Sequence, residues 1–166
     1  RPDVRLDPGL LMVTSVDTDG NNASAVGIVN NAWMMYASRE HLYVAQSSGG
    51  WWWNGSQAQH TAIYKFALSG DRPAYLATGK VDGWVKDQFS FSDYQGFLRV
   101  ASTEDRVDPD THQWQPSNHL FVLKDAGDGT LGVVGSVRGL APGERILAVR
   151  LLEDRGAVVP TRQVDP

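Results

Sequence analysis

The chain of 166 residues contains no cysteine, which excludes disulfides and thiolate metal sites. No apolar run approaches the roughly 18–20 residues that a helix needs to span a bilayer. Strong charge of one sign is also missing. The formal net charge is −4 and the pI about 5.5, which opposes nucleic-acid binding because that requires a basic face. No serine sits in a G-x-S-x-G elbow, and no glycine-rich phosphate loop opens a helix. The four histidines, His41, His60, His112 and His119, do not stand at metal-ligand spacing. A catalytic role is therefore not expected.

What the chain does have favours strands. Six Trp, five Tyr and five Phe stand beside 17 Gly and eight Pro, a mixture suited to pleated surfaces and tight turns. Hydrophobic residues at 42% are enough for one domain with a sizeable core. The first residue is Arg1 rather than Met, so an excised piece of a longer protein is expected. The basic residues, 11 Arg to 4 Lys, hint at a GC-rich bacterial source.

In chain order, strands are expected at 10–16, 25–29, 33–37, 41–46, 61–68, 74–78, 88–91, 96–101, 119–124, 131–137, 146–152 and 156–159. Residues 93–95 are read as a turn, and 47–59 and 102–117 as long polar loops. Only Trp84–Gln88 could form a helical turn. The segments also repeat. FSFSDYQGFLRVA lies over VRLLEDRGAVVPT when Gly96 is set on Gly156, and TAIYKF lies over LFVLK when Ile63 is set on Leu120. WMMYASREHLYVAQ occupies the same place in a third copy. Four strands per copy is the period of a β-propeller blade, a small sheet that buries its faces against its neighbours. A β-sandwich with similar hairpins is the competing reading. The expected fold is all-β, a propeller section of about twelve short antiparallel strands. After a lead-in at 1–9 come a half blade (10–30), a blade (33–79), a second blade (86–137) and a half blade (144–160).

QFSFSDYQGFLRVAS, NHLFVLK and VGSVRGLAPGERILAVRLLEDRGAVVPTRQVDP resemble the bacterial and archaeal secreted C-terminal β-propeller domains distantly related to WD repeats. WMMYASREHLYVAQSS and TAIYKFAL fit the same pattern, so the resemblance spans Leu10 to Pro166. The chain departs from the family at Ala157, where an aromatic is expected, and at Pro160, which lacks an amide donor and should weaken or end the last strand. The resemblance implies an extracytoplasmic location, continuation past RQVDP into a further strand, and no established enzyme activity.

The expected function is a non-catalytic protein-binding or scaffold module. One alternative is a carbohydrate-binding or glycan-processing propeller, and a hydrolase would need carboxylates converging within roughly 5–10 Å. Another is a fragment completed by strand exchange with a second copy, through open blade edges. Trp51, Trp52 and Trp53 form the leading ligand-binding candidate, stacking on sugar or anchoring a partner. The same residues could instead plug the gap between blades. No cofactor is expected except calcium at Asp17, Asp19 and Asn21, whose spacing suggests a calcium loop without its closing Glu. A hairpin turn explains the same residues and is the favoured reading. Asp105, Asp108 and Asp110 read as a solvated loop, and Glu153–Asp154 as a hairpin tip. Glu144 and Arg145 form either a structural ion pair or a binding site at a channel mouth.

Overall fold

The computed structural model describes residues 9–20, 22–48, 59–68, 72–107, 110 and 112–162. Twelve strands among them form four antiparallel sheets. The first pairs β1 (Leu10–Val16) with β2 (Ala23–Val29). Blade A holds β3 (Met34–Ala37), β4 (His41–Ser48), β5 (His60–Ala67) and β6 (Ala74–Asp82) in chain order. Blade B holds β7 (Phe91–Tyr94), β8 (Phe97–Val107), β9 (Trp114–Asp125) and β10 (Leu131–Leu140). The last sheet pairs β11 (Arg145–Leu152) with β12 (Arg155–Thr161). Two four-stranded blades between two half blades is the architecture expected from the sequence.

The sheets pack face to face. Leu11, Val13, Val26 and Ile28 alternate along β1 and β2 and cover Leu42, Val44, Tyr64 and Phe66 of blade A. The other face of blade A presents Tyr43, Ala45 and Ile63 to Leu98, Val100, Phe121 and Leu123 of blade B. Ile146, Val149 and Val158 of the last sheet then cover Ala101 and Leu120. Central strand β5 is buried on both faces, which explains its nearly continuous apolar run.

Antiparallel order places the strand ends Val16/Ala23, Ala37/His41, Tyr94/Phe97, Asp125/Leu131 and Leu152/Arg155 at one end of the stack. The strand ends Ser48/His60 and Val107/Trp114 and the described crossovers between sheets lie at the other. These are the hairpin end and the crossover end.

Several details differ from expectation. Residues 102–117 are not one loop: the β8–β9 ladder continues from Ser102↔His119 to Val107↔Trp114. Its acids are accommodated because cations and an indole face them. The strand β7 runs through Tyr94, and the turn is Gln95–Gly96, both residues having positive φ (51° and 79°). Such a two-residue turn matches the twist of the hairpin. The helical turn forms at Gln88–Ser90, where Asp87 accepts from Phe89 N–H at 3.0 Å, rather than at 84–88. Strand β12 continues through Pro160 to Thr161. Pro160 sits on an edge strand opposite Ile146, beside a bulge, where a missing donor is tolerated. The repeat also shifts in phase. Tyr94↔Phe97 and Leu152↔Arg155 close equivalent turns, so Gly156 falls on Leu98 and not Gly96. Ile63 does fall on Leu120: Ala37↔Leu42 and Asp93↔Leu98 flank equivalent turns, which sets Ala45↔Ile63 on Ala101↔Leu120, each pair facing the next sheet.

Candidate functional site

Crossovers are held down by side chains that substitute for missing backbone partners. Thr61 Oγ1 donates to Gly83 O at 2.7 Å, and Ser102 Oγ to Asp82 O at 2.6 Å. Asn118, wholly buried, accepts from Thr103 Oγ1 at 2.8 Å and donates to Leu140 O (3.1 Å) and Glu144 O (3.0 Å). Satisfying buried carbonyls in this way keeps the loops at the crossover end fixed. Gly83 is needed here for two reasons. Its φ is +82°, and a Cβ would stand 2.5 Å from Thr103 O.

Two polar clusters sit on this frame, one on each face of blade B. Period-two alternation along β8 sends Glu104 and Arg106 towards blade A and Asp105 towards the last sheet. On the blade A side, Glu104 Oε2 lies 2.8 Å from Arg106 Nη2 and 3.2 Å from His119 Nε2. Gly139 N–H donates to His119 Nδ1 at 3.2 Å. That bond fixes the tautomer, so Nε2 carries the proton and donates to Glu104. Burial pushes the His119 pKa down, and Glu104 offsets this only in part. Alongside, Arg138 Nη1 donates to Asp82 Oδ2 at 2.6 Å, and His60 Nδ1 lies 3.1 Å from Asp82 Oδ1. Burial works against the charge on Asp82, but Arg138 and His60 prevail and hold its carboxyl below the usual range.

On the opposite face, Asp105 accepts from Trp84 Nε1 at 2.9 Å and from Arg145 Nε at 3.2 Å. The Arg145 guanidinium lies 5.1 Å from the centroid of the Trp114 ring, a cation–π stack. Trp114 remains 55% exposed, and Trp33, in the crossover from β2 to β3, is 70% exposed. Asp105 and Arg145, read separately as a loop acid and one half of a Glu144 pair, are thus partners of each other.

The hairpin end carries a third cluster. Asp93 Oδ2 accepts from Ser38 Oγ (2.9 Å) and Tyr43 Oη (3.0 Å) and lies 2.7 Å from His41 Nδ1. Burial first, then the Asp93 carboxylate, raises the Tyr43 pKa far above its ordinary value. Lys65 Nζ donates to Asp125 Oδ2 at 3.1 Å. With Ser38 and His41 both directed at the carboxylate, this group has the wiring of a clamp between blades and not that of a nucleophile and base.

Trp51, Trp52, Trp53, Asn21 and Asp108 lie outside the described residues. Asp17 Oδ2 accepts from Asn22 Nδ2 at 3.0 Å, and Asp17 O from Gly20 N–H at 2.9 Å, the bonds of a tight turn. Asp19 lies in the same turn. Among the described residues no group of three metal-ligating side chains converges. The tip acid Asp154 pairs with Arg155 at 3.1 Å, exposed.

The sequence pattern of the beta propeller domain family matches residues 1–166. The chain belongs to this family. An uncharacterised protein of Methanocaldococcus jannaschii is 33% identical over 108 residues, covering 65% of this chain and 16% of that protein. An uncharacterised protein of Archaeoglobus fulgidus is 37% identical over 110 residues, covering 66% of this chain and 15% of that protein. The matched part of the chain thus covers about a sixth of the length of these archaeal relatives. No solved structure matches the chain. Within the family frame, the blades explain why Glu104 and Asp105, adjacent in sequence, serve different interfaces.

Proposed function

We propose that this beta propeller domain is a non-catalytic, extracytoplasmic module that binds or scaffolds a protein partner through its crossover end. One observation carries the reading. At that end Asp82, Glu104 and Asp105 are engaged by cations or an indole N–H, while the rings of Trp33 and Trp114 face solvent. Exposed tryptophan backed by a fixed arginine is the chemistry of an interface hot spot. The location rests on the family resemblance.

The test is capture of envelope proteins on the immobilised chain, beside a chain carrying Trp33→Ala and Trp114→Ala. A partner retained by the first and lost by the second supports the reading. Hydrolysis of a glycan by the purified chain would overturn its non-catalytic part. The Trp114–Arg145 stack also suits a sugar ring, so retention on a glycan array instead of a protein surface favours the carbohydrate reading. Two-stranded sheets at both ends of the stack favour self-association as well. A sedimentation mass of one chain at micromolar concentration would remove that reading.

A further inference from the structure

We propose that His119 is a proton-operated latch on the crossover that leaves blade B. His119 Nδ1 accepts from Gly139 N–H at 3.2 Å, and His119 Nε2 faces Glu104 Oε2 at the same distance. Both nitrogens of the buried ring are in use. Only the neutral tautomer, with its proton on Nε2, serves both partners. A second proton must go to Nδ1, where it meets the Gly139 N–H head on. An imidazolium and the Gly139 hydrogen bond cannot coexist, because both groups would be donors.

Gly139 is placed to respond. Its φ is +73°, and the regular β9–β10 register breaks between Val137 and Leu140, around it. The next residues, Leu140 to Glu144, are held by Asn118 and by the bond from Gly143 N–H to Pro116 O at 2.8 Å. Loss of the Gly139 bond therefore frees the start of the crossover and leaves its far end tethered.

The surrounding charges set when the latch turns. Glu104 of β8 favours the imidazolium, while Arg106 of β8 and Arg138 of β10 oppose it. Asp82 of β6, with His60 of β5 beside it, neutralises Arg138. Burial opposes charging too, so the latch stays closed at neutral pH. It opens below the ordinary histidine value of about 6.5. Acidification then loosens the link that carries Arg145 into the next sheet.

The test is site-resolved amide hydrogen exchange of the whole chain from pH 7.5 to 5, corrected for the intrinsic rate. Gly139 should lose about tenfold in protection, the effect of one lost buried hydrogen bond. With His119→Gln, which cannot titrate, that pH-dependent loss should vanish. Equal loss in both chains overturns the proposal. Nitrogen-15 spectra of the native ring provide a second readout that needs no variant. The neutral ring should be the Nε2–H tautomer, and its titration should coincide with a shift of the Gly139 amide. An Nδ1–H tautomer, or titration with the Gly139 amide unmoved, sinks the idea.

Discussion

The two ends of the stack join their blades by different means. At the hairpin end, one carboxylate oxygen of blade B, Asp93 Oδ2, serves Ser38, His41 and Tyr43 of blade A at once, with the Lys65–Asp125 pair beside it. Stacked rings of Tyr36, Tyr43 and Phe91 surround it. The crossover end distributes the work. Paired charges occupy both faces of blade B, and three short polar side chains grip the loops by their carbonyls. A single hub makes a tight joint that one change can break. The distributed arrangement tolerates the loss of one pair, and it fixes loops that also hold exposed aromatics. A surface presented to a partner needs that fixity.

The contrast is broken most directly at the backbone, which no redundancy protects. Gly83→Ala adds left-handed strain and an overlap with Thr103 O, and should cost about 3 kcal/mol in urea unfolding. Asp93→Ala at the hub comes next. It strands three donors, two of them on side chains with little exposure, and should cost about 2–3 kcal/mol. If Arg106→Ala at the crossover end costs as much as Asp93→Ala, the distinction between hub and network fails. Its exposed side chain predicts under about 1 kcal/mol.

Much of this frame was readable in the sequence because period-two alternation and turn residues are local signals. LLMVTSV and AVGIV show one buried face each, and Glu153–Asp154 announces its hairpin. The clusters were hidden for a physical reason. Asp93 and Asp105 find partners 55 and 40 positions away in neighbouring sheets, and His119 reaches Glu104 from 15 positions away on the adjacent strand, pairings that leave no trace in local composition. One signal was available. Continuing the alternation through Thr103, Asp105 and Val107 separates them from Glu104 and Arg106, which turns the supposed loop into a strand with two chemically distinct faces. A shared glycine does not mark a shared repeat position at Gly96 and Gly156. Gly96 is required by a positive φ, whereas Gly156 lies in a ladder opposite Leu151.

Acid titration compares the ends without breaking either. Asp125 at the hairpin end and Asp82 at the crossover end both titrate below the usual carboxylate range, against the effect of burial. Gly127 N–H and Lys65 lower the first, Arg138 and His60 the second. With native pKa values depressed, the unfolded chain binds protons first as the pH drops. The stability they contribute is therefore complete above about pH 4 and lost as the pH falls through their native values. Asp82→Asn and Asp125→Asn should each flatten the acid limb of the stability curve. Both carboxylates are partly solvated, so each effect should stay under about 1 kcal/mol.

The smallest change in stability should accompany the largest change in binding. Trp114 lies beyond the packed faces of blade B, and its ring covers the Arg145 guanidinium instead of filling a core. Removing the ring leaves Arg145 its bond to Asp105, so Trp114→Ala should shift the urea midpoint by no more than about 0.5 kcal/mol. The same variant should lose partner capture by tenfold or more, about 1.4 kcal/mol, if the indole is an anchor. Asp105→Ala separates anchor from support. It keeps the indole but releases Arg145 and the Trp84 N–H, so it should weaken capture less than Trp114→Ala while destabilising the fold more. The reverse order would mean that Asp105 or the arginine it orients is the contact, with Trp114 merely shielding the pair.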